Sequence, residues 1–525
     1  TIYVLLACLW TVSAVQAQSF GSPAMRKLQM AEFAISNFYV DKVDEDKLVE
    51  EAIIKMLAQL DPHSTYSDAE EVKKMNEPLQ GNFEGIGVQF QMIEDTLLVV
   101  QPVSNGPSEK IGILAGDRII AVNDSAIAGV KMSTEEIMKR LRGPKGSKVN
   151  LKIVRRGVQD PLVFTVKRDK IPILSLDASY MIQPKTGYIR INRFGATTAE
   201  EFKKAMKELQ KQGMKDMILD LQGNGGGYLN AAIDLANEFL GQKELIVYTE
   251  GRTAKRSDFY AKGNGEFRNG RLIVLVDEYT ASASEIVSGA VQDWDRGIIV
   301  GRRSFGKGLV QRPIDLPDGS MIRLTIARYY TPAGRCIQKP YDSSTDYNKD
   351  LIERFNHGEL MNADSIHFPD SLKVQTKKLG RTVYGGGGIM PDYFVPIDTT
   401  LYTDYHRNLV AKGAVIKFTM KFIEGHRKEL ANKYKKFESF NEKFIIDDDM
   451  LATLREMGEK EGVKFNEEQY QKSLPLIKTQ LKALIARDLW DMNEYFRVMN
   501  TTNESVQKAL EILNSEEYQK KLRAN

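Results

Sequence analysis

Three junctions in this chain put reactive groups where a strand gives way to a helix or a loop. The apolar run 272–276 ends in Asp277-Glu278-Tyr279-Thr280-Ala281-Ser282-Ala283-Ser284-Glu285, and a helical pattern follows. A serine between small residues at a strand-to-helix turn can present its hydroxyl, which is the logic of a nucleophile elbow without the GxSxG spelling. The same letters, Ser282-x-x-Glu285, spell a capping box that needs no catalysis, and taken alone the cap is the plainer reading. The second junction, Gly301-Arg302-Arg303-Ser304-Phe305-Gly306-Lys307-Gly308, nearly spells a P-loop. Gly308 stands where a P-loop needs Ser or Thr, and 309–313 reads as extended, so a nucleotide site is disfavoured. What remains is Lys307 between two glycines. A lysine with a populated neutral amine can act as general base, and Ser–Lys is a known variant of triad chemistry. A histidine base stays open, since such partners need only meet in space. The third junction is Gln222-Gly223-Asn224-Gly225-Gly226-Gly227, between the run 217–221 and a helix. Its backbone N–H groups at a helix start suit a phosphate or an oxyanion, although glycines also make plain turns.

The elements around these junctions alternate. Strands at 187–192, 217–221, 272–276 and 297–300 are separated by helices at 198–212, 229–240 and 284–294, a pattern that predicts an α/β core with parallel strands over 170–400. A polar insertion of low periodicity interrupts it at 342–380. Upstream, 22–80 reads as helical, with helices at 25–46 and 47–60. A glycine-punctuated β-rich region follows at 84–168, with one helix at 133–141. From 401 to 525 the chain is helical and rich in lysine and glutamate, with Trp490, Tyr495 and Phe496 as apolar anchors. This region reads as a packed accessory domain or dimer surface, and its lysine runs as solvated faces.

The composition excludes several classes. The chain has 525 residues, enough for about three to four domains. A net charge of +3 argues against nucleic acid as the main partner. Two cysteines, Cys8 and Cys336, cannot make a disulfide scaffold or a cysteine-pair zinc site. The five histidines are scattered without HExxH spacing, so a metalloprotease is not expected, and no cofactor or metal is implied. Residues 1–17 are uncharged, mostly apolar, and end Val15-Gln16-Ala17, the pattern of a secretory signal peptide cleaved after Ala17. The stretch is short for a membrane anchor, so membrane association is expected only through an uncleaved N-terminal segment.

Taken together and in order, these residues resemble the C-terminal processing peptidases, or tail-specific proteases. The resemblance covers about 30–395. It is carried by Leu60-Asp61-Pro62-His63-Ser64-Thr65-Tyr66, a PDZ-like stretch from Gly85 that includes Pro107-Ser108-Glu109-Lys110-Ile111-Gly112, and Asp220-Leu221-Gln222-Gly223-Asn224-Gly225-Gly226-Gly227 with Gln222 where arginine is usual. The segments at 280–285, 305–311, Tyr330-Thr331-Pro332-Ala333-Gly334-Arg335 and Gly388-Ile389-Met390-Pro391-Asp392 complete it.

The resemblance implies a crotonase-like α/β core with an inserted PDZ-like domain. It implies Ser282 as nucleophile rather than Ser284, because the family places its lysine twenty-five positions further on, where Lys307 stands. Gln311 would hold the lysine amine. Ala283 and Gly226 would supply oxyanion-hole N–H groups, with Gly225 and Gly227 open as alternatives, and Gln222 would weaken only the loop's outer support. The PDZ-like domain would receive a peptide carboxylate at Gly85, Ile86, Gly87 and Val88 while the peptide adds as a strand. The implied partners are polypeptides with free apolar C-termini, and the helical regions offer a homodimer surface. The implied location is exported, periplasmic or otherwise extracytoplasmic. Two other classes compete: a proteolytically inactive binding protein on the crotonase fold, and a PDZ scaffold.

Overall fold

A computed structural model describes residues 22–341 and 347–523. The expected signal, 1–17, lies outside them. The chain divides into two units: residues to Glu70 together with Gln311–Thr325, and Glu71–Val310 together with Ile326 onward.

The first unit holds helices α1 (Pro23–Phe38) and α2 (Glu45–Leu57) and strand β1 (Thr65–Ser67). The sequence predicted one helix through 25–46. Instead α1 stops at Phe38, and Asp44 starts α2 by accepting the Lys47 N–H at 3.2 Å. The apolar spacing continues across the break, but the Asp44-Glu45-Asp46 cluster favours a helix start, where the dipole is positive. After α2, Asp61 accepts the N–H groups of His63 and Ser64 and the Ser64 hydroxyl. This turn aims β1 antiparallel along Met321–Arg323, with Thr65 opposite Arg323. Several apolar side chains of α1 face solvent, among them Phe33 and Phe38.

The second unit begins with α3 (Ala69–Gln80), continuous from the first, and a β-rich domain. Strands β2 (Asn82–Gly85), β3 (Val88–Ile93), β4 (Thr96–Pro102) and β5 (Arg118–Val122) precede helix α4 (Thr134–Leu141). Strands β6 (Lys148–Val154), β7 (Leu162–Lys167) and β8 (Asp169–Pro172) follow. One sheet runs β3-β4-β5-β6-β7, with β3 on its edge, and β2 pairs separately with β8. Alternate residues of β6, Val149, Leu151 and Ile153, turn inward onto Leu97, Val99, Ile119 and Ile137 of α4.

The α/β part comprises β9 (Leu176–Gln183), β10 (Thr186–Ile191), α5 (Thr198–Lys211), β11 (Asp216–Asp220), α6 (Leu229–Asn237), β12 (Leu245–Glu250), β13 (Leu272–Val276), α7 (Ala283–Asp293), β14 (Ile298–Gly301), β15 (Met321–Tyr330) and β16 (Tyr393–Phe394). The main sheet has the order β9-β10-β11-β13-β14-β16 and is parallel from β10 onward. Its strands are apolar on both faces, as a sheet covered on both sides requires. Met217, Leu219, Val274 and Val276 point to the face packed by α5, α6 and α7. Ile218, Ile273, Leu275 and Val300 point the other way.

That second face is covered by the helical tail. Its helices are α8 (Asp404–Ala411), α9 (Ala414–Lys433), α10 (Asp448–Lys460), α11 (Glu467–Leu489), α12 (Met492–Met499), α13 (Glu504–Asn514) and α14 (Glu517–Lys521). The first four, with the short helix Phe437–Lys443 that lies between α9 and α10 in sequence, share their own core around Phe418, Phe440 and Leu481. Val506, Ala509, Ile512 and Leu513 of α13 and Tyr518 of α14 belong to the core of the main sheet. Tyr518 accepts the Leu272 N–H on its hydroxyl, and Arg271 donates to the Leu513 carbonyl. Thus the last helices are a layer of the α/β core. Among the described residues no helix is long and apolar enough to cross a membrane.

In α12, desolvation and the neighbouring Asp491 push the Glu494 carboxyl up to about 7. A carboxyl whose folded pKa lies above its unfolded value stabilises fully below the unfolded value, and that contribution fades as pH rises through about 7. Between pH 5 and 8 the wild-type melting temperature should therefore fall relative to that of Glu494→Gln. Parallel melting curves for the two proteins would contradict this.

Candidate active site

The nucleophile candidate sits on a sharp turn. After β13, Ser282 adopts φ +56°, ψ −113°, and α7 begins at the next residue. A non-glycine residue held at positive φ stores strain, which persists only where neighbours over-determine it. Here they do. The Glu285 carboxylate reaches back to the Ser282 N–H at 2.8 Å, the reciprocal half of the capping box. Ser282 is half-buried and Ala283, at the first position of the helix, is buried. The Ala283 N–H has no acceptor among the described residues, as expected of a helix's first turn.

Glu285 does more than cap. It is fully buried and accepts four hydrogen bonds: from Ser282 N–H, from the Ser304 hydroxyl at 2.5 Å, from Gly306 N–H at 2.8 Å and from Lys307 N–H at 2.9 Å. Burial pushes its carboxyl up, and these four donors pull it back. The Ser282 and Lys307 amides share one oxygen, so the two backbone nitrogens are no further apart than the sum of those bonds. That span is within the length of a lysine side chain. The Tyr329 hydroxyl lies between the carbonyls of the same two residues, 3.1 Å from that of Ser282 and closer to that of Lys307. Phe305 N–H also donates to the Thr280 carbonyl at 2.9 Å. Two segments distant in sequence are thereby fastened together at backbone level.

The glycine loop packs against the same turn. A Cβ on Gly226, at φ +100°, would lie 2.8 Å from both Ser282 Cβ and the Ala281 carbonyl oxygen, so only glycine fits there. Asn224, fully buried, is the loop's anchor. Its carbonyl accepts Ala281 N–H and the Ser284 hydroxyl, and its amide donates to the Ile191 carbonyl. Its Oδ1 accepts the Gly226 N–H at 2.9 Å. The expected oxyanion donor Gly226 therefore spends its amide on Asn224 in this structure. The amides of Gly225 and Gly227 have no acceptor among the described residues. The Gly226 carbonyl accepts Phe194 N–H, and in a trans peptide this turns the Gly227 N–H away from Phe194.

Of the other expected residues, Gln311 belongs to the first unit, where its amide donates to the His63 carbonyl. Gly85, Ile86, Gly87 and Val88 lie together at the start of the edge strand β3. The Ile86 and Gly87 N–H groups have no acceptor among the described residues. The Ser108 N–H and hydroxyl both bind the Ile86 carbonyl, and the Val103 N–H binds that of Gly87. The carbonyls are thus tied down and the donors are left.

Sequence reasoning missed Asn224 and Tyr329. An asparagine among glycines signals local backbone bonding and could have been singled out. Tyr329 carried no signal, because its partners come from other segments. The polar insertion also has a place. Arg354, buried, donates to the carbonyls of Arg303 and Ser304, and Lys339 pairs with Asp350 between the rings of Phe305 and Tyr347. The insertion thus braces the segment that leads into Lys307.

Comparison with known proteins bears on this geometry. Residues 185–345 match peptidase family S41, and 85–170 match a PDZ domain. Residues 11–71 match the N-terminal domain of the activating protease CtpB, and 405–491 match a family of unknown function. The carboxy-terminal processing protease CtpB of Bacillus subtilis is 37% identical over 327 residues, 62% of this chain and 68% of that protein. This chain belongs to the carboxy-terminal processing proteases of family S41. The carboxy-terminal-processing protease of Bartonella bacilliformis is 40% identical over 307 residues, 57% of this chain and 69% of the relative. Among solved structures, the photosystem II D1 C-terminal processing protease is 27% identical, with a TM-score of 0.36, over 73% of this chain and 96% of that one. Membership in S41 makes this protein a serine-type endopeptidase carrying a PDZ domain.

In this S41 protease, Glu285→Gln would leave one oxygen for four donors. Each donor without an acceptor costs about 1–3 kcal/mol. The urea midpoint should fall, with an unchanged m-value. A midpoint equal to wild type would mean that the carboxylate is not the fastening described.

Proposed function

We propose that this protease cleaves exported polypeptides near their C-termini, with Ser282 as nucleophile and Lys307 as general base. The reading is carried by one observation: a single buried carboxylate oxygen holds the backbone amides of both residues. The neutral Lys307 amine takes the Ser282 hydroxyl proton as Oγ attacks the scissile carbonyl. The protonated amine then gives that proton to the leaving amine, and an acyl-enzyme forms. Water, deprotonated by the same amine, releases the acyl group. The resemblance would give Gln311 the part of holding the amine; within the first unit its own amide donates to the His63 carbonyl.

The oxyanion would meet the Ala283 N–H at the start of α7, where the helix dipole adds to the bond. The second donor comes from the glycine loop. Gly226 can deliver its amide after Asn224 releases it, and Gly227 has an unspent amide beside it. The parallel sheet with a nucleophile turn at a strand end is consistent with a crotonase-type core. Export rests on the apolar residues 1–17 and the Val15-Gln16-Ala17 ending. The intact Ser282, Lys307 and glycine loop favour the protease over the inactive binding protein.

Ser282→Ala and Lys307→Ala should each abolish digestion of an unfolded protein with an apolar C-terminus, while circular dichroism and melting stay near wild type. A serine-reactive phosphonate should label wild type and not Ser282→Ala. Full activity in either variant would sink the assignment.

Substrate capture follows from β3. Its edge is open for an added strand, and the Ile86 and Gly87 amides suit a terminal carboxylate. A peptide with a free apolar C-terminus should bind the full chain at least about tenfold tighter than its C-terminal amide, the weight of one charge-assisted contact set. Equal affinities by calorimetry would rule out carboxylate capture.

A further inference from the structure

The glycine loop leaves β11 through Gln222, and that residue is held from two directions. Its N–H donates to Asp220 Oδ1 at 2.9 Å, and its carbonyl accepts Arg190 Nη2 at 2.8 Å. Its side chain is held by the tail: Oε1 accepts Asn503 Nδ2 at 3.1 Å, and Nε2 donates to Ser505 Oγ at 3.3 Å. Asn503 caps α13, its Oδ1 accepting the N–H groups of Ser505 and Val506. With Oδ1 committed to the cap, its NH2 is the group that faces Gln222, which fixes the orientation of both amides. Ser505 is buried, and the rest of α13 is set into the core of the main sheet, so the clamp has a rigid base.

The loop needs such a base. Between Gln222 and Tyr228 it has four glycines and one anchor, Asn224, and Gly223, Gly225 and Gly227 are exposed. Glycines constrain the backbone least, whereas an oxyanion donor must be placed to within a fraction of an ångström. Beside the clamp, core and tail part around a cavity of about 420 Å³ lined by Gln222, Gly223, Arg302, Tyr402 and Phe496. Packing on that side is therefore sparse, and the Gln222 amide bridges across it. At this position the family usually carries arginine; here a shorter amide meets a partner supplied by the tail.

We infer that Asn503 and Ser505, acting through Gln222, are positioning residues for the oxyanion loop, so that the last helices of the tail set the rate of acylation. The inference rests on the proposed role of the loop as oxyanion donor.

The test compares three variants of the full chain. Asn503→Ser keeps a good helix cap but cannot reach Gln222. Gln222→Leu removes both clamp bonds. Asn514→Ala breaks another tail-to-core amide pair, that with Gln183, remote from the loop, and serves as the control. For a short peptide substrate, Asn503→Ser and Gln222→Leu should each lower kcat about tenfold with KM within twofold, as expected when a donor is misplaced. Hydrogen exchange of a peptide spanning 221–228 should quicken in the same two variants. Asn514→Ala should change neither readout, though it lowers the melting temperature. Wild-type kcat and wild-type exchange in the clamp variants would overturn the inference, as would an equal loss of kcat in Asn514→Ala. Should wild type turn over no peptide at all, the protease reading falls, and the exchange result alone still decides the clamp.

Discussion

A buried carboxylate with four hydrogen-bond donors organises this molecule. Glu285 is taken wholly out of water, which raises the free energy of its charged form, and only a full set of hydrogen bonds offsets that. Those bonds come from Ser282, Ser304, Gly306 and Lys307, so the charge stays satisfied only while the serine turn and the lysine loop are both in place. The strained backbone of Ser282 draws on the same set. The backbone placement of Ser282 and that of Lys307 are consequently one problem with one solution. A loop that drifted would leave an uncompensated acceptor in the interior, which makes partial disorder at this site costly and an all-or-none arrangement favourable.

Around that centre, each half of the site leans on a segment outside the shared family pattern. The lysine side is braced by the insertion, through Arg354 on the carbonyls of Arg303 and Ser304. The glycine side is braced by the tail, through Asn503 and Ser505 on Gln222. Polar contacts suit these places. Carbonyls at the rim of a parallel sheet have no strand to bind, and a buried one without a partner is expensive. The guanidinium of Arg354 can meet two at once. The insertion's low periodicity reflects this: Arg354 and Asp350 act through single polar contacts.

The alternation of strands and helices was legible because short β-branched apolar runs alternate with longer stretches of helical spacing. The run 272–276, five apolar residues closed by Asp277, could hardly be anything but a central strand, and β13 occupies those residues. Strand to turn to helix at Ser282 was legible for the same reason. The role of the tail was not. An amphipathic helix announces that it has a buried face, but Val506, Ala509 and Ile512 do not say which surface they meet. Likewise Tyr329 reaches Ser282 and Lys307 only because β15 returns beside the site. Gly226 was expected from its place in the motif to offer its amide. The structure turns that amide onto Asn224, a choice made by a side chain two residues away. The break between α1 and α2 was missed because apolar spacing outweighed the cap signal of Asp44.

The doubly covered sheet has a temporal side. Chains are made from the amino end. The strands of the main sheet are all present once β16 has appeared, and one of their faces finds α5, α6 and α7 at once. The other face, with Ile218, Ile273 and Leu275, is covered in part by α12 through Phe496, and the rest waits until α13 arrives. A partly emerged chain therefore shows an open apolar surface and an unclamped glycine loop together. The apolar surface that covers this face and the side chains that hold Gln222 thus arrive on one segment of the chain.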